Sequence, residues 1–162
     1  MGVSGSGKST IADALAERLG WRYEDGDRFH PASNVAKMSA GEPLTDDDRR
    51  PWLQAIADEI DRACNNGEHV VVACSALKRA YRDILLHART DVRFVFLNGT
   101  QELIASRLAA RKDHFMPPGL LASQFRTLEP PEPSEHPITV SIDAPVETIV
   151  EDIIRQLKLA PS

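Results

Sequence analysis

The amino-acid sequence predicts an α/β fold with a parallel sheet, and three observations lead there. Gly2-Val3-Ser4-Gly5-Ser6-Gly7-Lys8-Ser9 matches the spacing G-x-x-x-x-G-K-[ST] and runs straight into a helical pattern. Residues 69–74 hold a continuous apolar run around Val70, Val71 and Val72, as expected for a parallel strand covered on both faces. Strand-like and helix-like segments then alternate to the end of the chain, as they do when helices form the crossovers of a sheet.

The elements follow in order. Ile11, Leu15 and Leu19 recur at helical spacing, with Asp13, Glu17 and Arg18 on the other side, and Gly20 closes that helix. Trp21 to Asp25 alternates and breaks at Gly26, which predicts a short strand ending in Asp25 and Asp27. Residues 29–34 read as irregular, with a short helix and a turn around Lys37 to Leu44. Thr45 and the three aspartates after it mark a helix N-terminus. Pro51 belongs near a first turn, so the helix body is expected from Trp52 to about Cys64, buried through Leu53, Ile56, Ala57 and Ile60. After the apolar strand comes a helix expected to bury Leu77, Tyr81, Ile84 and Leu85 and to expose Lys78, Arg79, Arg82 and Asp83. Val92 to Leu97 is the next strand. Thr100 caps a helix running to about Arg111, and Phe115 to Gly119 breaks it. Helical spacing resumes at Leu120, Leu121, Gln124 and Leu128; a last strand covers Ile138 to Ile142, and a final helix is buried through Ile149, Val150, Ile153 and Leu157.

At 162 residues the chain has the size of one domain, 1–162, and its nearest approach to a linker is the proline- and glutamate-rich stretch Glu129 to Pro137. A net charge of -5 argues against a general nucleic-acid or membrane-surface binder, which needs a concentrated basic face. No apolar run reaches the ~18 residues of a membrane-spanning helix. Two cysteines, Cys64 and Cys74, without metal spacing or a secretory leader fit a reducing, cytoplasmic setting.

The glycine-rich loop carries the chemistry. Glycines let successive N–H groups turn inward around phosphate oxygens without a Cβ in the way. In Gly2, Val3, Ser4, Gly5, Ser6, Gly7, Lys8, Ser9 and Thr10 this predicts a nucleotide site, with Lys8 reaching the β/γ-phosphates, Ser9 Oγ on Mg²⁺ and the helix dipole aimed at the anion. Asp25 and Asp27 fall at the carboxyl end of a strand, where open α/β sheets bind ligands. One can hold Mg²⁺ through water and the other accept a proton or hydrogen bond from an acceptor hydroxyl; by themselves they are also an ordinary Asp-Gly turn. A lone histidine before a proline, such as His30, is more often structural or solvated than catalytic, and Arg49 and Arg50 taken singly are as compatible with a surface role as with a site. Arg107 and Arg111 share a helix face that Lys112 and His114 extend. Such a face is commonly just solvated, and in a phosphoryl-transfer enzyme it can form a cationic flap.

Together these blocks resemble the bacterial-type gluconokinase family: Met1 to Ser9, Asp25-Gly26-Asp27 with His30-Pro31, Gly41 to Leu44 with Asp46 to Leu53, Cys74 to Lys78 with Tyr81 to Asp83, and Arg107 to Phe115 with Leu120, Gln124 and Leu128-Glu129. The phosphate loop is shared by many NTPases, whereas Asp48-Arg49-Arg50-Pro51-Trp52-Leu53 and Cys74-Ser75-Ala76-Leu77-Lys78 are much narrower. The resemblance implies a three-layer α/β/α P-loop kinase fold of the nucleoside-monophosphate-kinase type, similar to shikimate kinase, with a lid at about 111–119. It further implies ATP, Mg²⁺, D-gluconate as acceptor and a homodimer. It makes Asp25 an outer-sphere Mg²⁺ ligand, Asp27 the partner of the acceptor hydroxyl and Arg49 the partner of the acceptor carboxylate. His30 and Ser75 face gluconate hydroxyls, and Arg107 or Arg111 covers adenine or clamps phosphate, with Arg111 counted beside Lys8 and Asp27 in the catalytic group. The rival readings are a kinase for another small sugar acid or for shikimate, and, in a different class, a slowly hydrolysing nucleotide switch. The switch lacks support from any guanine-reading Asn-Lys-x-Asp.

One element is expected to be missing. In the fold this chain resembles, a central strand leads into the phosphate loop between the Val70 and Val92 strands, yet only Met1 precedes Gly2. The expectation is that the natural chain starts roughly ten residues upstream, a genuine short form being the alternative.

Overall fold

The computed structural model describes residues 1–87, 89–110 and 118–157, the last stretch without the side chains of 118–120. Its helices are α1 (Lys8–Leu19), α2 (Ala32–Ser39), α3 (Asp46–Asn65), α4 (Arg79–Leu86), α5 (Gln101–Ala110), α6 (Pro118–Thr127) and α7 (Val146–Leu157). The strands are β1 (Arg22–Asp25), β2 (Val70–Ala73), β3 (Val95–Asn98) and β4 (Ile138–Ser141). β1 pairs with β2 and β3 with β4, both parallel, in registers that set Arg22 opposite Val70 and Val95 opposite Ile138.

Met1 and Gly2 lie between the two pairs. The Met1 amino group donates to Val95 O at 2.6 Å, Leu97 N donates to Met1 O at 3.0 Å, and Gly2 N donates to Ser75 O at 3.2 Å. The chain entering the phosphate loop is thereby stitched to β3 on one side and to the end of β2 on the other. Beside Met1 lies an apolar cavity of about 510 Å³, lined by Val70 to Ala73, Phe94, Val95 and residues of α1 and α3 such as Ile11 and Ile56. Val70, Val71 and Val72 are only half-buried because they face this space, where the apolar run alone predicts full burial. Burial pushes the Met1 ammonium down to about 5, with Lys8 adding repulsion.

Helices cover both sides. Ile11 and Leu15 of α1 pack with Ile149, Val150 and Ile153 of α7 and Ile104 of α5 in one core. Trp52, Leu53, Ile56 and Ile60 of α3 meet Tyr81 and Leu85 of α4 in the other. α1 ends at Gly20, whose φ of 70° is the left-handed conformation that glycine takes without strain.

Several elements depart from expectation. α2 begins at Ala32 inside the stretch read as irregular, with Pro31 O accepting from Asn34 N and Val35 N. α3 begins at Asp46 and carries Pro51 within it. A capping box makes that start possible, since Thr45 Oγ1 accepts from Asp48 N at 3.1 Å while Asp48 Oδ2 accepts from Thr45 N at 2.9 Å. Proline six residues into the helix gives up a single hydrogen bond near an end that is already well held. β3 starts at Val95, three residues later than the apolar pattern implies. The lid expected at 111–119 lies outside the described residues up to 117, and 118 and 119 already belong to α6.

Arg82, expected on the surface, is 1% exposed. All three of its guanidinium nitrogens donate: Nε to Glu135 Oε1 at 2.7 Å, Nη1 to Ala76 O at 2.8 Å and Nη2 to Glu129 O at 2.9 Å. A buried charge satisfied this way is tolerated, whereas losing one partner typically costs ~3–5 kcal/mol. The anchor fixes Ala76, whose φ of 45° is unusual for a residue with a Cβ, directly after Ser75 at the carboxyl end of β2.

Candidate active site

The phosphate loop is built by backbone conformation. Gly5 has φ 81° and Gly7 φ 92°, and a Cβ on Gly5 would come within 2.7 Å of Leu108. Gly7 is the N-cap of α1 and brings no side chain to cap it, so the first N–H groups of that helix remain available to an anion. Ser9 and Thr10 are exposed on its first turn. Lys8 is half-buried, and its Nζ donates to Val3 O at 3.1 Å, folding back across its own loop. Burial lowers the Lys8 pKa, and Asp27, Cys74 and Asp25 oppose that shift, which sets both aspartates within electrostatic reach of the ammonium.

Across from the loop, Asp25 and Asp27 stand where β1 turns into a short 3₁₀ segment. Asp25 Oδ1 accepts from Asp27 N at 3.0 Å, which holds the two in a fixed relation with Asp27 exposed. Gly26 between them is pressed so close to β2 that a Cβ would lie 2.5 Å from Ala73 O, and Trp52 Nε1 donates to Gly26 O at 2.7 Å. His30 stacks on Trp52 with ring centroids 4.2 Å apart. Its pKa is lowered by burial first, raised by Asp27 and lowered again by Arg49, so His30 is neutral at pH 7 and within electrostatic reach of both charges. Asn34 Nδ2 donates to Asp48 O at 2.8 Å and meets His30 Nδ1 at 3.2 Å, tying α2 to the start of α3.

Arg49 is on α3, where Nη1 donates to the Tyr81 hydroxyl at 3.2 Å. Asp27 and Arg49 both act electrostatically on His30, and Asp27 also on Lys8, so these side chains form one mixed-charge wall next to the loop. Ser75 is joined to the loop through its carbonyl. Arg107 is placed differently: Nη2 donates to Ile142 O at 2.6 Å, which fastens it to the carboxyl end of β4. Arg111 lies outside the described residues.

Sequence reasoning gave no role to Gln124 of α6. Its Oε1 accepts from Ser4 N at 2.7 Å and its Nε2 donates to Ser4 Oγ at 3.0 Å, clipping the loop from outside. Nothing local signals a contact across 120 residues, although Gln124 did stand in one of the family blocks. Among the described residues no three His, Cys, Asp or Glu side chains form a metal site of their own. Ser9 and Asp25 are the oxygen donors here that could hold a hard divalent cation together with a nucleotide's phosphates.

A phosphate loop opening a helix beside parallel strands, with an acidic and basic wall opposite, defines a P-loop phosphotransferase. The family model described as shikimate kinase matches residues 4–157. A gluconokinase of Gluconobacter oxydans is 45% identical over 98% of this chain and 89% of its own length. The thermoresistant gluconokinase of Escherichia coli is 44% identical over 98% of this chain and 91% of its own. The crystal structure of a gluconokinase from Sinorhizobium meliloti superposes with a TM-score of 0.87 at 46% identity, covering 97% of this chain and 88% of that one. The chain belongs to the shikimate kinase family of ATP-dependent kinases and groups within it with the gluconokinases.

Proposed function

We propose that the protein transfers the γ-phosphoryl of ATP to the 6-hydroxyl of D-gluconate, giving 6-phospho-D-gluconate and ADP. The observation that carries this reading is the wall of Asp27, His30 and Arg49, a hydroxyl partner and a carboxylate partner opposite the phosphate loop in a chain 45% identical to a gluconokinase.

Lys8 exchanges the Val3 carbonyl for β/γ-phosphate oxygens, and the free N–H groups at Gly7 and the start of α1 hold the rest of the anion. Ser9 and Asp25 are the residues that would hold Mg²⁺, which when bound would supply positive charge to neutralise the phosphates. Asp27 accepts the hydrogen bond of the attacking hydroxyl and takes its proton as the bond to phosphorus forms. Arg49 fixes the carboxylate at the other end of the acceptor, where a planar fork suits the group. His30, a neutral ring held by Trp52, and Ser75 offer hydrogen bonds to the intervening hydroxyls. Arg107 is assigned the nucleotide end on the resemblance, supported by its hydrogen bond to Ile142 O just past the carboxyl end of β4; Arg111 is proposed on the resemblance alone. Catalysis on this scheme is positional and electrostatic.

We read 1–162 as one kinase domain with a lid near 111–119. A homodimer rests on the resemblance. A cytoplasmic setting is supported by two cysteines that stay unpaired. No helix of the described residues is long and apolar enough to cross a membrane. ADP release measured over a panel of acceptors tests the reading. Turnover should require gluconate and Mg²⁺ and run faster with gluconate than with shikimate or glycerate. Equal ADP release with no acceptor would contradict it.

A further inference from the structure

Four side chains beside the acceptor wall form a cluster that the scheme above uses only in part. Tyr81 of α4 is 6% exposed, and its hydroxyl sits between two partners, accepting from Arg49 Nη1 and donating to Asp46 Oδ1. Lys78 Nζ reaches the same carboxylate, at 3.2 Å from Oδ1 and 3.4 Å from Oδ2. Arg49 is 4.0 Å from Asp46 Oδ1. Both cations also lie over the Tyr81 ring, the Arg49 carbon at 5.6 Å and the Lys78 nitrogen at 5.5 Å from its centroid.

Two cations and a phenol therefore converge on one carboxylate, which is the donor set a carboxylate-recognition site needs. The carboxylate now filling it belongs to the first residue of α3, whose side chain is about half exposed. The cations are held differently. Arg49 and Lys78 are each about one-third exposed, and both are oriented by a tyrosine whose ring is locked in the α3/α4 core. The rigid part of the cluster is the cationic half, and the solvent-facing part is the acid.

We propose that Lys78 and Tyr81 complete, with Arg49, a clamp for the acceptor's carboxylate, and that Asp46 is the clamp's internal counter-ion, displaced or shared when the acceptor binds. The proposal rests on the gluconokinase reading and extends it. Lys78 is a binding residue, Tyr81 a positioning residue that aims Arg49, and Asp46 a built-in competitor. The competitor keeps two neighbouring cations paired in the free enzyme, which limits their mutual repulsion. It also favours acids over uncharged polyols, because only an anion can replace it.

The proposal makes predictions of opposite sign within one cluster. Lys78→Met should raise the KM for gluconate by about tenfold, the effect of losing one charge-assisted contact, with the KM for ATP unchanged. Tyr81→Phe should raise it several-fold by releasing Arg49. Asp46→Asn should lower it about threefold, because the amide competes more weakly for the cations. If Asp46 were merely structural, its loss would loosen Arg49 and Lys78 and the gluconate KM would rise. The experiment is steady-state kinetics of the four full-length proteins with gluconate and with ATP varied in turn, alongside urea midpoints to show that each variant is folded. A raised gluconate KM for folded Asp46→Asn, or an unchanged one for folded Lys78→Met, overturns the proposal while leaving the gluconokinase reading intact. A wild-type enzyme that does not phosphorylate gluconate removes that reading and the proposal with it.

Discussion

Replacing Lys8 by alanine is expected to cost kcat on the order of 10²-fold or more, the range seen when one preorganised charge partner of a transition state is removed. Two features of Lys8 lead to this size. The side chain is half-buried, so its charge is poorly screened; burial lowers its pKa, and Asp27, Cys74 and Asp25 oppose that shift. It is already folded across the loop onto Val3 O, so little motion brings it to a phosphate seated there. Alanine leaves Gly5, Gly7 and the N-terminus of α1 in place, so ATP affinity should fall much less than kcat. Steady-state turnover and nucleotide titration of the purified variant check this, and a variant with near-normal kcat would show that the loop does not serve phosphoryl transfer.

Asp27→Asn is the second large effect. The amide keeps the size of the carboxylate but cannot take a proton, so kcat should drop by about 10²-fold, within the usual range for a lost general base. ATP affinity should be nearly unchanged. This separation follows from the proposed roles, Asp25 toward the metal and Asp27 toward the acceptor: Asp25 Oδ1 accepts from the Asp27 N–H, while the exposed Asp27 carboxylate acts on both His30 and Lys8. If the variant instead bound ATP and Mg²⁺ more weakly at unchanged kcat, Asp27 would belong to the metal and another group would have to meet the acceptor hydroxyl.

What could be read from the amino-acid order was what local chemistry decides. Gly7 and Gly20 bracket α1 because their backbone angles suit glycine, and Thr45 announces α3 through a box completed three residues later by Asp48. The phosphate loop was legible for the same reason, since its spacing carries its meaning, whereas Asp25 and Asp27 by themselves are also an ordinary turn and Arg49 drew its proposed role from the resemblance. What was not legible depends on partners far along the chain. Arg82 reads as a surface residue on a helix wheel until Glu135 and Glu129 are brought to it. Gln124 meets Ser4 only after the whole domain has folded, and Lys78, Tyr81, Asp46 and Arg49 converge from two helices that pack side by side. Pro51 misled in the other direction, since the rule against proline inside helices is weakest near a well-capped start. In place of the single parallel sheet expected, the strands form two separate parallel pairs, with Met1 hydrogen-bonded to β3 and Gly2 to the end of β2 in the gap between them.

The claim that loop and wall act together on one acceptor is tested most directly by the chemical position of the transferred phosphoryl. Incubating the enzyme with ATP, Mg²⁺ and uniformly carbon-13-labelled gluconate, and following phosphorus–carbon couplings by NMR, should show a single new phosphate ester coupled to C6 and its neighbour, growing in step with ADP. A phosphate ester at another carbon, or inorganic phosphate and ADP with gluconate untouched, would contradict the assignment of Asp27 and Arg49 to opposite ends of the acceptor.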